Sequence, residues 1–485
     1  MSDSLKSKTI HGLWWSLIDW IGVKGVQFGI GIILARLLMP EQFGLIGMLT
    51  IFMAVAQSFL DSGFGSALIQ KQDATQTDQC SIFYFNIVVG VIAAAALCLA
   101  APWIAAFYNE PLLTPLTQVL SLNIVINSFG LVQTILMTKR IDFKTQAKIG
   151  TLSSLISGVV GVSLAMAGFG VWSLAFQAIV ANVCRTALLW VFNSWRPAWI
   201  FSLASLREMF AFGSRLLASG LLNTIFDNLY LMIIGKLYSA PDLGYYTRAT
   251  SIQQLPSQGI YGMVSRVTYP VFATVQNDSA RFKRGLRNAL GMLGLINFPL
   301  TIGLALVARP LVLIVLTEKW APCIPYLQLL CIVGMMYPLH AINLNVLMAK
   351  GRSDLFFRLE IIKKILVVIS ILMTFRWGVE GLIWGQVAFT VVGYFLNSYY
   401  TGVLLAYPAR EQLVDLLPYF GMSVVMGAVI YPIQWIPLIG NWILLLSQVM
   451  IGTMVYAMLC RWFRLPAFME AMYILRNWLR SERLE

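Results

Sequence analysis

Long hydrophobic runs follow one another along almost the whole chain, with only short polar segments between them. Runs such as 80–107, 149–167, 379–405 and 440–460 are continuous and lack the alternation of polar and apolar residues typical of a membrane β-barrel strand. About 20 apolar residues in a helix cross the hydrocarbon core of a bilayer, and a helix satisfies its own backbone hydrogen bonds there. The pattern therefore predicts an all-α integral membrane protein with fourteen transmembrane helices.

The boundaries of the predicted spans follow the ends of the hydrophobic runs. We place the spans at 12–38, 43–63, 80–103, 114–136, 149–167, 171–192, 209–235, 244–273, 288–308, 323–348, 362–377, 379–405, 415–435 and 440–460. The first run is too long for the core of a cleavable signal peptide, and no small-residue cleavage site follows it. We expect it to remain as the first span.

Composition agrees with a membrane protein and adds an orientation. Hydrophobic residues make up 59% of the chain, charged residues make up 11%, and the mean hydropathy is +0.76. The net charge of +13 does not require a nucleic-acid partner, because its distribution has another explanation. With the N-terminus in the cytoplasm, 24 Lys and Arg residues fall on the cytoplasmic side and five on the other. The positive-inside rule thus predicts that both termini are cytoplasmic.

Short segments recur along the chain after roughly 200 residues, which indicates an internal repeat. The segment 35–44 aligns with 235–244 without a gap, and each copy ends in a glycine at the start of a predicted span. Leu136–Lys139 aligns with Leu347–Lys350, and 170–174 aligns with 378–382. Because six spans separate the copies, the repeats have the same orientation and are parallel, as in many transporters.

The repeat predicts a domain organisation of six, six and two spans. It consists of an N-terminal six-helix lobe (1–200), a C-terminal six-helix lobe (201–406), two additional helices (407–461) and a cytoplasmic tail (462–485). In the tail, basic residues share one face of a predicted helix and apolar residues the other, which suggests a helix lying on the membrane surface. A disordered tail is the alternative.

Polar residues within the spans are the candidates for substrate binding, because buried charges usually face a cavity or a partner. Lys24 lies near the middle of the first span and shares a face with Gln27. The seventh span carries Asn223 and Asp227 at the equivalent position of the repeat. We interpret these residues as the polar lining of a cavity bordered by spans 1, 2, 7 and 8.

Three arginines are further candidates for this site. A purely structural role for the charged residues is the alternative to substrate binding. Arg248 and Arg266 are 18 residues apart, or five helical turns, so they share one face of the eighth span about 27 Å apart. Such a cationic path suits an anionic diphosphate. Arg215 in the seventh span is a further candidate. Alternatively, Asp19 and Asp227 neutralise Lys24 and Arg215 in purely structural ion pairs.

Several motifs, in order and spacing, resemble the multidrug/oligosaccharidyl-lipid/polysaccharide exporter superfamily, and within it the Wzx-type flippases, over residues 8–400. They are Gln42-Phe43-Gly44-Leu45, Asp61-Ser62-Gly63-Phe64-Gly65 with Ile69-Gln70, Arg196-Pro197 with Phe201-Ser202-Leu203-Ala204-Ser205-Leu206, Glu318-Lys319-Trp320, Leu327-Gln328-Leu329-Leu330-Cys331 and Leu347-Met348-Ala349-Lys350. The resemblance implies a V-shaped pair of lobes that open alternately to each side of the bacterial inner membrane. It implies undecaprenyl-diphosphate-linked oligosaccharide as the substrate, for exopolysaccharide or O-antigen synthesis.

The resemblance also implies which other molecules take part. Membrane lipids surround the protein, the last two helices border a groove for the lipid tail, and the polysaccharide polymerase and export machinery are candidate partners. A multidrug exporter of the same superfamily is the nearer alternative, although intramembrane cations exceed carboxylates here. A membrane-embedded glycan polymerase or transferase is a weaker one, because the loops are short and no His, Asp and Glu cluster has metal-ligand spacing. We predict no catalytic residue, metal or cofactor.

Overall fold

The computed structural model describes residues 22–61, 63–71, 73–435 and 440–481. Within these residues the chain forms helices and turns and no strand, which confirms the all-α class. Nine of the described helices are long and apolar enough to cross a membrane, and a bent pair of helices makes a tenth. The chain is therefore a multi-pass membrane protein, whereas the number fourteen and the lobe arrangement stay predictions.

The chain divides into two compact units, of which the first is Met1–Thr247. Its described helices are α1 (22–37), α2 (Pro40–Asp61), α3 (Phe64–Gln70), α4 (Gln76–Tyr108), α5 (Leu113–Lys139), α6 (Phe143–Met166), α7 (Val171–Phe192), α8 (Leu203–Asp227), α9 (Leu229–Leu237) and the beginning of α10 (Ala240–Thr274). This division does not test the predicted boundary at residue 200, which stays a prediction.

The second unit is Arg248–Glu485. After the remainder of α10, its helices are α11 (Ser279–Leu306), α12 (Ala308–Val315), α13 (Cys323–Ala349), α14 (Ser353–Thr374), α15 (Gly378–Leu405), α16 (Ala409–Ile430), α17 (Asn441–Trp462) and α18 (Pro466–Ser481). Short 3-10 helices occupy Glu318–Trp320, Phe375–Trp377 and Tyr431–Trp435. The tail thus contains a helix, and its position at the membrane surface stays a prediction.

Local side-chain chemistry fixes where several of these helices begin. Thr75 and Asp78 form a capping box at the start of α4: the Thr75 hydroxyl accepts from the Asp78 amide at 3.2 Å, and the Asp78 carboxylate accepts from the Thr75 amide at 3.0 Å. Asp142 caps α6 by accepting from the Thr145 amide at 3.1 Å. These bonds satisfy backbone amides that the first helical turn leaves without partners.

The turn after α5 and the turn after α13 have the same backbone geometry, which refines the repeat. Ile141 (φ 60°) and Gly351 (φ 70°) occupy the left-handed region at equivalent places, and the amide of the following residue bonds the carbonyl five residues back in both turns. These positions are 210 residues apart, whereas the sequence alignment paired Leu136 with Leu347, 211 apart. That part of the alignment was wrong by one residue, because the backbone turn rather than residue identity sets the register.

Candidate functional site

The seventh predicted span is broken near its middle. It was predicted as one helix over 209–235, but α8 ends at Asp227, α9 begins at Leu229, and the helix axes differ by 41°. Asn228 lies at the break, and its side-chain amide donates to the Thr224 carbonyl at 2.8 Å. Interrupted helices are where transporters commonly build substrate sites, because the break exposes backbone polar groups. The predicted lining residue Asp227 therefore lies at the last residue before such a break.

Four predicted lining residues have exposed side chains in the first unit: Lys24 and Gln27 on α1, and Asn223 and Asp227 on α8. Gln27 donates from its side-chain amide to the Ser154 hydroxyl on α6 at 3.4 Å. A charged side chain exposed to lipid within a span costs roughly 2.5–3.5 kcal/mol on insertion scales. Because contact with lipid would be this costly for Lys24 and Asp227, the exposure of their side chains favours a polar surface around these four residues.

For two further candidates, in spans 7 and 8, the structure describes the helix that carries the residue but not the side chain. Arg215 and Arg266 lie in α8 and α10, and their side chains are outside the described part of the structure. Asp19 is also outside the described residues, so its pairing with Lys24 stays a prediction. Arg248 and Arg266 do occupy one continuous helix, α10, as predicted.

Arg248 contacts a fixed aromatic partner in the second unit. Its guanidinium carbon lies 5.7 Å from the centre of the Trp320 ring, and Trp320 is fully buried in the 3-10 helix before α13. The face of an indole attracts a cation, and more strongly where water is excluded. The half-buried Arg248 side chain is therefore held in a defined position at one end of α10.

The α2–α3 segment packs against α8 through polar contacts that the sequence analysis missed. The Ser58 and Thr224 hydroxyls are 2.9 Å apart. The Lys71 ammonium lies 3.0 Å from the Glu208 carboxylate and 3.3 Å from that of Asp78. The hydrogen bond to Glu208, followed by that to Asp78, raises the pKa of Lys71 above its ordinary value. Nothing in the spacing signals the contacts of Ser58 with Thr224 and of Lys71 with Glu208, since each joins residues more than 100 positions apart.

An apolar groove lies between α11, α13 and α16 in the second unit. It encloses about 570 Å³ and is almost entirely apolar. Its walls include Ile302, Ala305, Cys331, Met335, Phe420 and Val424. The groove is therefore bounded by α16 on one side and by α11 and α13 on the other.

A buried amide pair fixes α16 next to this groove. The side-chain amides of Asn343 on α13 and Gln412 on α16 bond each other reciprocally, with both distances 3.1 Å. Gln412 also accepts from the Tyr394 hydroxyl at 3.2 Å and donates to the Tyr407 carbonyl at 3.0 Å. Both amides are fully buried, so these bonds hold α16 to α13 and α15 in one arrangement.

Comparison with known proteins decides the family. The protein family described as "Polysaccharide biosynthesis protein" matches residues 33–325, well over half of the chain. The chain belongs to this family. It is 30% identical over 404 residues to the lipopolysaccharide biosynthesis protein WzxC of Escherichia coli (strain K12), covering 81% of each chain. It is 29% identical over 383 residues to the teichuronic acid biosynthesis protein TuaB of Bacillus subtilis (strain 168), covering 78% of this chain and 79% of TuaB.

Solved structures place this family member in a transporter fold. The lipid II flippase MurJ in an inward closed conformation superposes with a TM-score of 0.77 over 92% of this chain and 98% of MurJ, at 13% identity. An inward-facing MATE multidrug transporter superposes with a TM-score of 0.64 over 83% of this chain and all of the transporter, at 14% identity. At such identities the likeness establishes the fold alone. The predicted resemblance to Wzx-type proteins is confirmed by the 30% identity to WzxC.

Proposed function

We propose that this protein is a flippase that moves undecaprenyl-diphosphate-linked oligosaccharide repeat units across the bacterial inner membrane for exopolysaccharide or O-antigen synthesis. The observation that carries the proposal is the 30% identity to WzxC over 81% of both chains. The MurJ fold supports it, since MurJ is a lipid II flippase. The protein is a transporter of the inner membrane and not an enzyme, and one of its relatives is named the succinoglycan biosynthesis transport protein ExoT of Rhizobium meliloti (strain 1021).

The polar residues of α1, α8 and α10 are the proposed contacts for the diphosphate and sugars. Lys24, Arg215, Arg248 and Arg266 compensate the phosphate charge as the headgroup leaves water. The remaining lining residues, Gln27, Asn223 and Asp227, supply hydrogen-bonding groups to the sugar hydroxyls. No cofactor is needed for these contacts. Among the described residues, no group of three or more His, Cys, Asp and Glu side chains could hold a metal ion.

The apolar groove between α11, α13 and α16 is the proposed path of the polyprenyl tail. A tail gains no hydrophobic free energy by moving from the bilayer into an apolar groove, because both surroundings are hydrocarbon. Its residence there instead depends on close packing, the main force between apolar surfaces within a membrane. The groove therefore orients the tail while the headgroup crosses, and Gly427 allows α16 to pack closely against Leu306 and Ile302 of α11 in its wall.

The membrane potential or an ion gradient is the proposed energy source. The sequence contains no Gly-rich phosphate-binding loop of the type that holds ATP. Outward movement of two negative charges is favoured by an inside-negative potential, at about 2.3 kcal/mol per charge per 100 mV. With both termini in the cytoplasm, as the positive-inside rule indicates, the substrate is loaded from the side that carries most Lys and Arg residues. The polymerase and export machinery would receive it on the other side.

A multidrug exporter is the second candidate, because several solved relatives in fold are MATE transporters. The two functions are separated by deleting the gene in a strain that makes a known polysaccharide. The flippase proposal predicts that the lipid-linked repeat unit accumulates and that polymer is lost, with both effects reversed by the wild-type gene. Unchanged polymer together with new sensitivity to organic cations would instead identify a drug exporter. A strain deleted for the polymerase is the matched control, because it also accumulates the repeat unit but retains flipping.

A further inference from the structure

The two copies of the repeated segment at 35–44 and 235–244 touch each other in the first unit. Each copy ends a helix, turns, and begins the next one: α2 starts at Pro40 and α10 starts at Ala240, 200 residues later. The glycines four residues on, Gly44 and Gly244, lie at the contact. Repeat-related segments therefore meet face to face, using the same patch from each copy.

The contact is reciprocal and involves backbone on both sides. A methyl group added to Gly44 would lie 1.8 Å from the carbonyl oxygen of Ala240, and one added to Gly244 would lie 2.0 Å from that of Pro40. Each glycine thus faces the carbonyl of the first residue of the other helix. A side-chain neighbour could rotate away, but a helical carbonyl cannot without moving the helix. Only glycine permits the two helix ends to approach this closely.

Each copy satisfies the polar groups of its own turn. The Gln42 side chain accepts from the Met39 amide at 3.1 Å, and the Asp242 side chain accepts from the Ser239 amide at 3.3 Å, the same relationship 200 residues later. These capping bonds stay within one copy when the copies separate. Parting the helix ends therefore leaves the capped amides with their partners and avoids the cost of unpaired polar groups.

A second layer of close packing lies one turn further along. A methyl group on Gly47 would lie 3.1 Å from the Leu243 side chain and 3.2 Å from the methyl group of Thr247. These contacts continue the seam between α2 and α10, so the closed contact is more than a single pair of atoms. They also bring Gly47 and Thr247 within reach of a disulfide, which needs Cβ atoms roughly 3.5–4.5 Å apart.

We propose that Gly44 and Gly244, with the carbonyls of Pro40 and Ala240, form a gate, here called the glycine clasp, that must part for substrate to pass this end of α2 and α10. The inference rests on the proposed flippase function, because a gate presupposes transport. The clasp closes by backbone packing and opens without exchanging its capping hydrogen bonds. Its two halves are the two copies of the repeat, so one short motif supplies both sides of the gate.

A reversible disulfide tests the clasp directly. Gly47→Cys and Thr247→Cys are combined in a background with Cys98 and Cys184 replaced by alanine, the other four cysteines being fully buried. We expect the pair to cross-link on oxidation and to abolish flipping of a fluorescent undecaprenyl-diphosphate-linked sugar in proteoliposomes, with recovery on reduction. Each single cysteine variant is the matched control and should be insensitive to oxidant. A fully cross-linked protein that flips as fast as the reduced one overturns the proposal, as does failure to cross-link.

Alanine substitutions test the same contact without transport. Gly44→Ala and Gly244→Ala should each lower cross-linking of the cysteine pair about tenfold or more, since that factor corresponds to ~1.4 kcal/mol and overpacking costs typically 1–3 kcal/mol. Gly220→Ala on α8 should leave cross-linking unchanged, because an added methyl group there meets nothing within 4 Å. Equal cross-linking in all three variants contradicts the clasp. If reduced wild-type protein fails to flip the lipid, the proposed function fails, while these cross-linking results still judge the contact.

Discussion

Replacing Gln412 by leucine should destabilise the protein more than any comparable substitution of a single buried amide in α16 or α17. The side chain of Gln412 makes four hydrogen bonds, two to Asn343, one from Tyr394 and one to the backbone of Tyr407. Leucine has a similar size and none of these bonds. The substitution therefore removes polar contacts from the junction of α13, α15 and α16 with little change in volume.

The magnitude follows from the number of bonds. Hydrogen bonds between membrane helices average about 0.6 kcal/mol and reach about 1.7 kcal/mol, so four bonds amount to about 2.4 kcal/mol or more. The buried Asn343 amide and Tyr394 hydroxyl would also lose a partner, and an unpaired buried polar group costs roughly 1–3 kcal/mol. We therefore expect a loss of about 3 kcal/mol or more in the free energy of unfolding.

The assay is thermal unfolding of purified protein in one detergent, followed by loss of the monodisperse species. Gln448→Leu on α17 is the matched control: Gln448 is equally buried but makes one described hydrogen bond, at 3.4 Å to the Ile430 carbonyl, and its side-chain oxygen has no partner. The Asn343→Leu and Gln412→Leu double variant should cost less than the sum of the single ones, because neither amide is then left unpaired. A melting temperature of Gln412→Leu no lower than that of Gln448→Leu would refute this reasoning.

Two further predictions concern charged side chains. Lys71→Glu and Glu208→Lys should each reduce export, because each places like charges together, and the double exchange should restore part of it; measured polymer yield with no such rescue would show that the pair does not hold α3 to α8. Lys24→Ala and Arg266→Ala should each weaken binding of the lipid diphosphate about ten- to a hundredfold, the factor for a charge-assisted contact of about 1.5–3 kcal/mol. Export measured beside the amount of folded protein distinguishes this from a structural ion pair, which predicts loss of both.

The sequence predicts the position of a helix well where a continuous run of apolar residues forms it. The ends of the helices are less predictable. The predicted eleventh span covered 362–377, whereas α14 runs from Ser353 to Thr374. Glu360 and Lys363 lower the hydropathy of its first half, yet they form an ion pair one turn apart with side chains only 23% and 14% exposed. Pairing lets an apolar helix carry these charges inside the protein, and a hydropathy average does not detect pairing.

The sequence likewise indicates some features of the candidate site and not others. Local composition singles out Lys24, Asp227 and Arg248, because single charges stand out in apolar runs, and their role in binding stays a prediction. The break at Asn228 was missed, since a helix with one interrupted turn has the same apolar content as a straight one. Gln412 was missed because it precedes the predicted thirteenth span, and its importance comes from Asn343, 69 residues earlier. Contacts between distant segments are set by packing, which one sequence does not reveal.

Flipping by the purified protein is the most direct measure of the proposed transport. Proteoliposomes are loaded with a fluorescent undecaprenyl-diphosphate-linked oligosaccharide, and a membrane-impermeant reagent reports the fraction in the outer leaflet over time. We expect protein-dependent movement between leaflets that an inside-negative potential accelerates toward the outside of right-side-out protein. ATP should not accelerate this movement. Movement no faster than in protein-free liposomes, with folded protein present and a potential applied, would show that the protein is not a flippase for this lipid.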